Sequence, residues 1–454
     1  MVGAYASFGC ATLCPPLSAT YLIFPLLSPP PKPQFSGSGA LPPTIPGPNA
    51  RLLQQEPPFT RNHRWSREDI PSRIEDLSSS LRSLSVYWLE LPCLTIFSAF
   101  FRSLPDVRFR RECLRTRDDG AVASTGYLAM IATCLLILRS HFAGLTGGSE
   151  DTYVRHMLLR ARSKGWRVVV FNSRGCGNSP VTTAQFYSAS FLGDISEVVS
   201  MLATHPSANL YAVGWSLGAN ILVRYVGQES FSCPLAGAIS LCNPFNLIIA
   251  DEDFRKGFNI VYDKALANAL CKIFRRHALL FEDIGGEFNI PLAANAKSVR
   301  EFDDGLTRVS FGFKSVDDYY SNSSSSDSIK NVSIPLLCIQ AENDPIAPSR
   351  GIPREDIKKN PNCMLIVTPK GGHLGWVAGG EAPLGAPWTD PIVMDFLEHL
   401  EQARVSSFVT TSTSLEDANV TGPLHQVEDY SRPSSRCSIS VPSSVSKVRH
   451  LSLF

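Results

Sequence analysis

Between about residues 110 and 400 the chain alternates short, uniformly apolar runs with longer amphipathic stretches. The runs are Cys134–Leu138, Val168–Phe171, Leu210–Val213, Ala238–Leu241, Pro335–Ile339 and Cys363–Val367. None alternates apolar with polar, as a strand with one wet face would. Each therefore predicts a strand covered on both sides, and together they predict a mainly parallel sheet. Phe191–Ala203 has the spacing of a crossover helix between two of them. The pattern is that of an α/β domain with flanking helices.

One interval breaks the rhythm. From about Asn243 to Val332 runs an insertion with helical stretches such as Lys264–Arg276 and, near its end, a SNSSSSDS segment that reads as flexible. A connection that long inside a compact domain predicts a functional cover, here a helical lid. The pattern also fades towards both ends. Residues 1–85 read as a disordered Pro/Ser-rich leader, and the first 50 contain no Asp or Glu and a single basic residue, Lys32. Such a leader resembles a chloroplast transit peptide, so the expected address is a chloroplast or another membrane-associated intracellular site. Residues 86–110 are expected to form an apolar helix around WLELPCLTIFSAFF (Trp88–Phe101). That run falls short of the roughly 20 residues a spanning helix needs, so it is expected to lie on a membrane surface or against the domain. The folded domain is expected over 111–402, and the Ser/Thr-rich 403–454 as a disordered tail.

Charge and cysteine usage narrow the function. With 42 Lys+Arg against 41 Asp+Glu, the chain lacks the field that would attract a polyanion, and nucleic acid is not an expected partner. The 12 cysteines show no C-x-x-C and no zinc-ligand spacing, so they read as reduced, mostly buried small hydrophobes, with a structural zinc site as the alternative. No metal and no organic cofactor is expected.

The sharpest chemical signal is Gly214-Trp215-Ser216-Leu217-Gly218, a G-x-S-x-G. It directly follows the run LYAV and precedes ANILVRYVGQE, so it falls on a strand-to-helix turn. There the serine must take a positive φ and side chains two residues away would clash, which is what glycine at 214 and 218 avoids. A serine hydroxyl needs a base to take its proton, and the base needs a carboxylate to hold its tautomer. In such a sheet the acid and then the histidine should follow the serine along the chain. Asp344 follows the run PLLCI, with Glu342 as a rival acid, and His373 follows CMLIV within GGHLGW. Three residues at three strand ends then meet on one edge. Donors for a developing oxyanion are expected from the N–H of Leu217 and, in the loop AGLTGG, of Leu145. A second Gly-rich loop, Arg174-Gly175-Cys176-Gly177-Asn178-Ser179, reads as a structural turn, with a head-group contact by Arg174 as the alternative.

These residues resemble the α/β-hydrolase superfamily, in particular the branch joining YheT-like hydrolases, plant embryogenesis-associated proteins and animal lipases acting on monoacylglycerols and phospholipids. The carrying segments are GLTGGSEDTYVRHM (Gly144–Met157), FNSRGCGNSP (Phe171–Pro180), GWSLGANILVRY (Gly214–Tyr225), ENDPIAP (Glu342–Pro348) and GGHLGW (Gly371–Trp376). The resemblance implies an α/β-hydrolase fold, a triad of Ser216, Asp344 and His373, and hydrolysis of a carboxylic ester, with a lipid or small ester as substrate; the apolar insertion and WLELPCLTIFSAFF point to an acyl chain met at a membrane surface, by peripheral contact. Some relatives instead transfer acyl groups to alcohols, so an acyltransferase is one rival. The segment Ala121–Ala143 departs from the branch's pattern where a second strand is expected. That departure supports the other rival, a non-catalytic binding protein.

Overall fold

In the computed structural model the described residues are 51–53, 92–108, 110–126, 134–139, 147–204, 209–282 and 284–402, with backbone alone for 51–53, 92–93, 125–126 and 134–139. The expected leader, apart from 51–53, residues 86–91 of the expected apolar helix, the tail 403–454 and Leu145 all lie outside them.

The described strands are β1 (Arg51–Leu53), β2 (Arg110–Arg115), β3 (Ala121–Gly126), β4 (Cys134–Arg139), β5 (Arg167–Asn172), β6 (Asn209–Trp215), β7 (Gly237–Leu241), β8 (Leu336–Ala341) and β9 (Cys363–Thr368). They form one sheet in the order β1-β9-β8-β7-β6-β4-β5-β3-β2. All six strands read from the apolar runs are present, and they are the parallel ones. β1 pairs antiparallel with β9, and β3 and β2 add an antiparallel hairpin beyond β5. Ala121–Gly126, which departs in sequence from the related branch, thus forms a paired strand, and Cys134–Arg139 sits at the centre of the sheet between β5 and β6.

Both faces are covered, as uniformly apolar strands require. Along β6, Leu210 and Ala212 join one core and Tyr211 and Val213 the other. The first core is closed by α3 (Gly193–Ala203) and α4 (Leu217–Glu229). The second is closed by α2 (Thr152–Ser163) and a helix including 389–402. Before β2, α1 is a helix of Pro92–Phe101 that ends short of the expected 110, since residues 102–108 are not helical and β2 begins at Arg110.

The insertion between β7 and β8 is helical, beginning with α5 (Leu247–Phe254) and α6 (Asn259–Arg275). Its SNSSSSDS stretch is built into the fold rather than flexible. Ser323 and Ser325 are buried, Ser325 N–H donates to Asn220 Oδ1 at 3.0 Å, and Asn220 Nδ2 donates to the Ser323 carbonyl at 2.8 Å. The reason is local: small serines fit where the returning chain crosses α4, and Asn220 supplies both a donor and an acceptor.

Candidate active site

Ser216 stands between β6 and α4 at φ 51° and ψ −126°, a conformation that costs a non-glycine residue of order 1–3 kcal/mol. Gly214 is required beneath it, since a Cβ there would lie 2.8 Å from both Ala219 Cα and the Gly218 carbonyl. The Ser216 N–H is anchored to the Leu241 carbonyl at 2.8 Å, so the neighbouring strand β7 helps hold the turn.

Asp344 and His373 arrive from the ends of β8 and β9. His373 Nε2 is 2.9 Å from Ser216 Oγ, and His373 Nδ1 is 3.0 and 2.9 Å from the two carboxylate oxygens of Asp344. The bonding assigns the tautomer: Nδ1–H donates to the carboxylate and Nε2 accepts the serine hydroxyl. Asp344 Oδ1 also accepts the N–H groups of Ile346 and Ala347, each at 2.8 Å, which fixes the carboxylate's plane. All three side chains are buried. The rival acid Glu342 is turned outwards to Arg354 and Ser349.

Leu217 is the first residue of α4, so its N–H belongs to the first-turn donors that no carbonyl of the helix can accept. Leu145, the second expected oxyanion donor, lies outside the described residues.

The loop carrying His373 has no ladder of its own and is held mainly by side chains that sequence reasoning missed. His373 N–H donates to Thr95 Oγ1 at 2.9 Å and Gly372 N–H to Asn343 Oδ1 at 2.9 Å. Leu374 N–H donates to Cys242 Sγ at 3.2 Å. Arg102 donates to the carbonyls of Leu374, at 3.1 Å, and Gly375. Cys242 directly follows β7 at φ 49°, and burial together with the Asp344 carboxylate pushes its thiol well above the ordinary value. Among the described residues, the Sγ of Cys242, a carboxylate oxygen of Asp344 and a ring nitrogen of His373 lie within 4.8 Å of one another, close enough to share a cation. A cation there would compete with the hydrogen bonds that tie Asp344 to His373.

Ser216 opens into a cavity of about 890 Å³, counted with its solvent-open part, walled by Leu217, Phe186, Leu266, Leu270, Phe274 and other apolar side chains, many from the insertion. Asp303 and Tyr320 supply a polar patch in that wall. Tyr320 OH donates to Asp303 Oδ2 at 2.8 Å, and burial pushes the Asp303 carboxyl up to about 7. Arg174 takes no part in the cavity wall. Its guanidinium is buried and binds Asp194 through Nε and Nη2, at 3.0 and 2.7 Å, and Asp118 through Nη1 and Nη2, at 2.6 and 2.9 Å, which joins the β2–β3 turn to α3. The structural turn is the reading that holds.

A nucleophile-type turn between strand and helix, a hydroxyl–imidazole–carboxylate chain across the sheet edge and an inserted helical cover define an α/β hydrolase. The chain belongs to the family described as alpha/beta hydrolase fold, which matches residues 142–377. It is similar to the embryogenesis-associated protein EMB8 of Picea glauca, with 61% identity over 74% of this chain and 78% of that protein. It is 32% identical to phospholipase ABHD3 of Homo sapiens over 63% of this chain and 71% of that protein. It is 35% identical to monoacylglycerol lipase of Saccharomyces cerevisiae over 51% of this chain and 53% of that protein.

Proposed function

We propose that the protein hydrolyses carboxylic esters of lipids through an acyl-enzyme on Ser216. The observation that carries this reading is the 2.9 Å contact of Ser216 Oγ with His373 Nε2 at the mouth of an apolar cavity. His373 takes the hydroxyl proton as Ser216 Oγ bonds to the ester carbonyl carbon. The tetrahedral oxyanion is received by the N–H groups of Leu217 and Leu145, and the alcohol leaves with the proton from His373. Water, deprotonated by the same imidazole, then releases the acid and restores Ser216. Asp344 keeps the imidazole in the working tautomer throughout. The apolar wall favours an acyl chain over a small polar ester, in keeping with the phospholipase and monoacylglycerol lipase among the relatives.

Contact with a lipid surface belongs to the same proposal. No helix among the described residues is long and apolar enough to cross a membrane. Phe100 and Phe101 on α1, 79% and 61% exposed, supply instead an apolar face for peripheral contact. Flotation with phosphatidylcholine vesicles should be weakened by Phe100→Ser with Phe101→Ser, and equal flotation would remove this part. For the address we propose a chloroplast or a membrane-associated intracellular site, from the acid-free leader and the apolar stretch Trp88–Phe101.

The test of the activity is labelling of the purified chain with a fluorophosphonate probe, with Ser216→Ala as control, followed by esters of graded chain length. Labelling lost in the variant supports the acyl-enzyme. A folded wild type that does not label turns the reading to a binding protein. Product diverted from free acid to ester by added alcohol makes it an acyltransferase.

A further inference from the structure

We propose that α1 belongs to the active site, with Thr95 and Arg102 as positioning residues for His373. The inference rests on the Ser216–His373–Asp344 reading and adds to it a helix that lies wholly ahead of the matched region 142–377.

Three observations carry it. The fully buried side chains of α1 and of the residue just past its end are polar: Thr95, Ser98 and Arg102, at i, i+3 and i+7, are buried, Leu94, Ile96 and Phe97 are half-buried, and Phe100 and Phe101 face outwards. A surface helix ordinarily buries its apolar stripe, and a buried guanidinium is costly without partners, so the inward polar face needs a task.

The partners of that face define the task. Thr95 Oγ1 accepts the backbone N–H of the proposed base itself, His373, at 2.9 Å, and Arg102 grips the next two carbonyls, of Leu374 and Gly375. Burial lowers the Arg102 guanidinium only to about 10, so it remains a cation at neutral pH, and charged donors make the stronger bonds to carbonyls.

The fit is close. Gly372 is held at φ 57° with Thr95 above it, and a Cβ at 372 would lie 2.6 Å from Thr95 Oγ1. Loop and helix therefore specify one another, and the imidazole's placement over Ser216 depends on both. An error on the order of 1 Å in such placement is worth about a hundredfold in rate.

The experiment uses the full-length chain and a soluble short-chain ester, so that vesicle contact plays no part. Thr95→Val keeps the shape and removes the acceptor; Thr95→Ser keeps the acceptor. The expected result is a fall in kcat of about 10- to 100-fold for Thr95→Val with KM within about twofold, and near wild-type kcat for Thr95→Ser. Arg102→Lys, which keeps the charge but loses the fork, should fall between them. Wild-type kcat in Thr95→Val overturns the inference, as does an equal loss in Thr95→Ser accompanied by a matching loss of thermal stability, which marks mere packing. If Thr95→Val does not fold, Arg102→Lys decides by the same kcat-against-KM split. Fluorophosphonate labelling of wild type keeps the two claims apart: its failure sinks the underlying reading, while labelled wild type with an unimpaired Thr95→Val sinks only the role of α1.

Discussion

Asp344 turns both carboxylate oxygens to Nδ1 of His373, at 3.0 and 2.9 Å, while two backbone N–H groups hold Oδ1 from the other side. Nothing in that arrangement leaves the imidazole free to choose its tautomer. Asp344→Asn would present an amide N–H or a weaker acceptor to Nδ1 and let the wrong nitrogen carry the proton. The expected loss is on the order of 10⁴ in kcat with a folded protein, read from steady-state kinetics and circular dichroism. A loss under tenfold would remove Asp344 from the mechanism.

Ser216 occupies a backbone conformation that suits glycine. Replacing it by glycine relieves strain of order 1–3 kcal/mol and loses some of that to the greater freedom of the unfolded chain. Ser216→Gly should therefore be inactive yet about 1 kcal/mol more stable than Ser216→Ala, which keeps the strained Cβ. Denaturant titration of the two inactive variants gives the difference; an alanine variant at least as stable would show that the turn is not strained.

The Arg174–Asp194 pair is almost wholly buried, at 1% and 3% side-chain exposure. Removing the cation alone takes from a buried carboxylate the charge that offsets its burial, which costs about 3–5 kcal/mol. Arg174→Met is expected to lose that much in chemical denaturation. A loss below 1 kcal/mol would mean the network is an ornament of the surface loop.

Asp303 binds its proton more tightly in the folded chain than its ordinary carboxylate value of 3.8, being held at about 7 by burial. Between about pH 4 and 7 the folded state retains a proton that the unfolded state has released, so stability falls as pH rises through that window. Asp303→Asn does not titrate; its melting temperature should depend less on pH there and should exceed that of wild type above pH 7. Asp390, raised by burial to about 8, acts with the same sign and leaves a residual slope in the variant. Parallel melting curves for wild type and Asp303→Asn across pH 4–8 would place the carboxyl in water.

The parallel half of the sheet was legible because residues such as Ile239 and Ile339 sit in runs with no wet face to interrupt them. RRECLR and AVASTG left no such trace: on the sheet's outer hairpin, β2 is mostly exposed, and pairing rather than composition makes these residues strands. Ser216, Asp344 and His373 could be read because each lies one turn beyond a legible strand. Thr95, Arg102 and Cys242 could not. Two sit in or beside an apolar string and the third looks like any small hydrophobe, and their roles arise from chain crossings that local spacing does not encode. Glu342 and Asp344 were separable only by direction, one turned to Arg354 and the other to His373.

The helical insertion leaves the sheet at β7 and returns at β8, two strands paired in register from Ala238↔Leu336 to Leu241↔Ile339. Because the two strands run parallel, its ends sit at opposite ends of the pair and are held about a strand's length, roughly 10 Å, apart, whatever its length. Since the entropy of closing such a loop grows only with the logarithm of its length, a change of length in the insertion costs the sheet little beyond the contacts it alters. Descendants of this scaffold can be given longer, shorter or differently shaped covers, and so a different molecular appetite, while the sheet edge beneath goes on performing the same proton transfers.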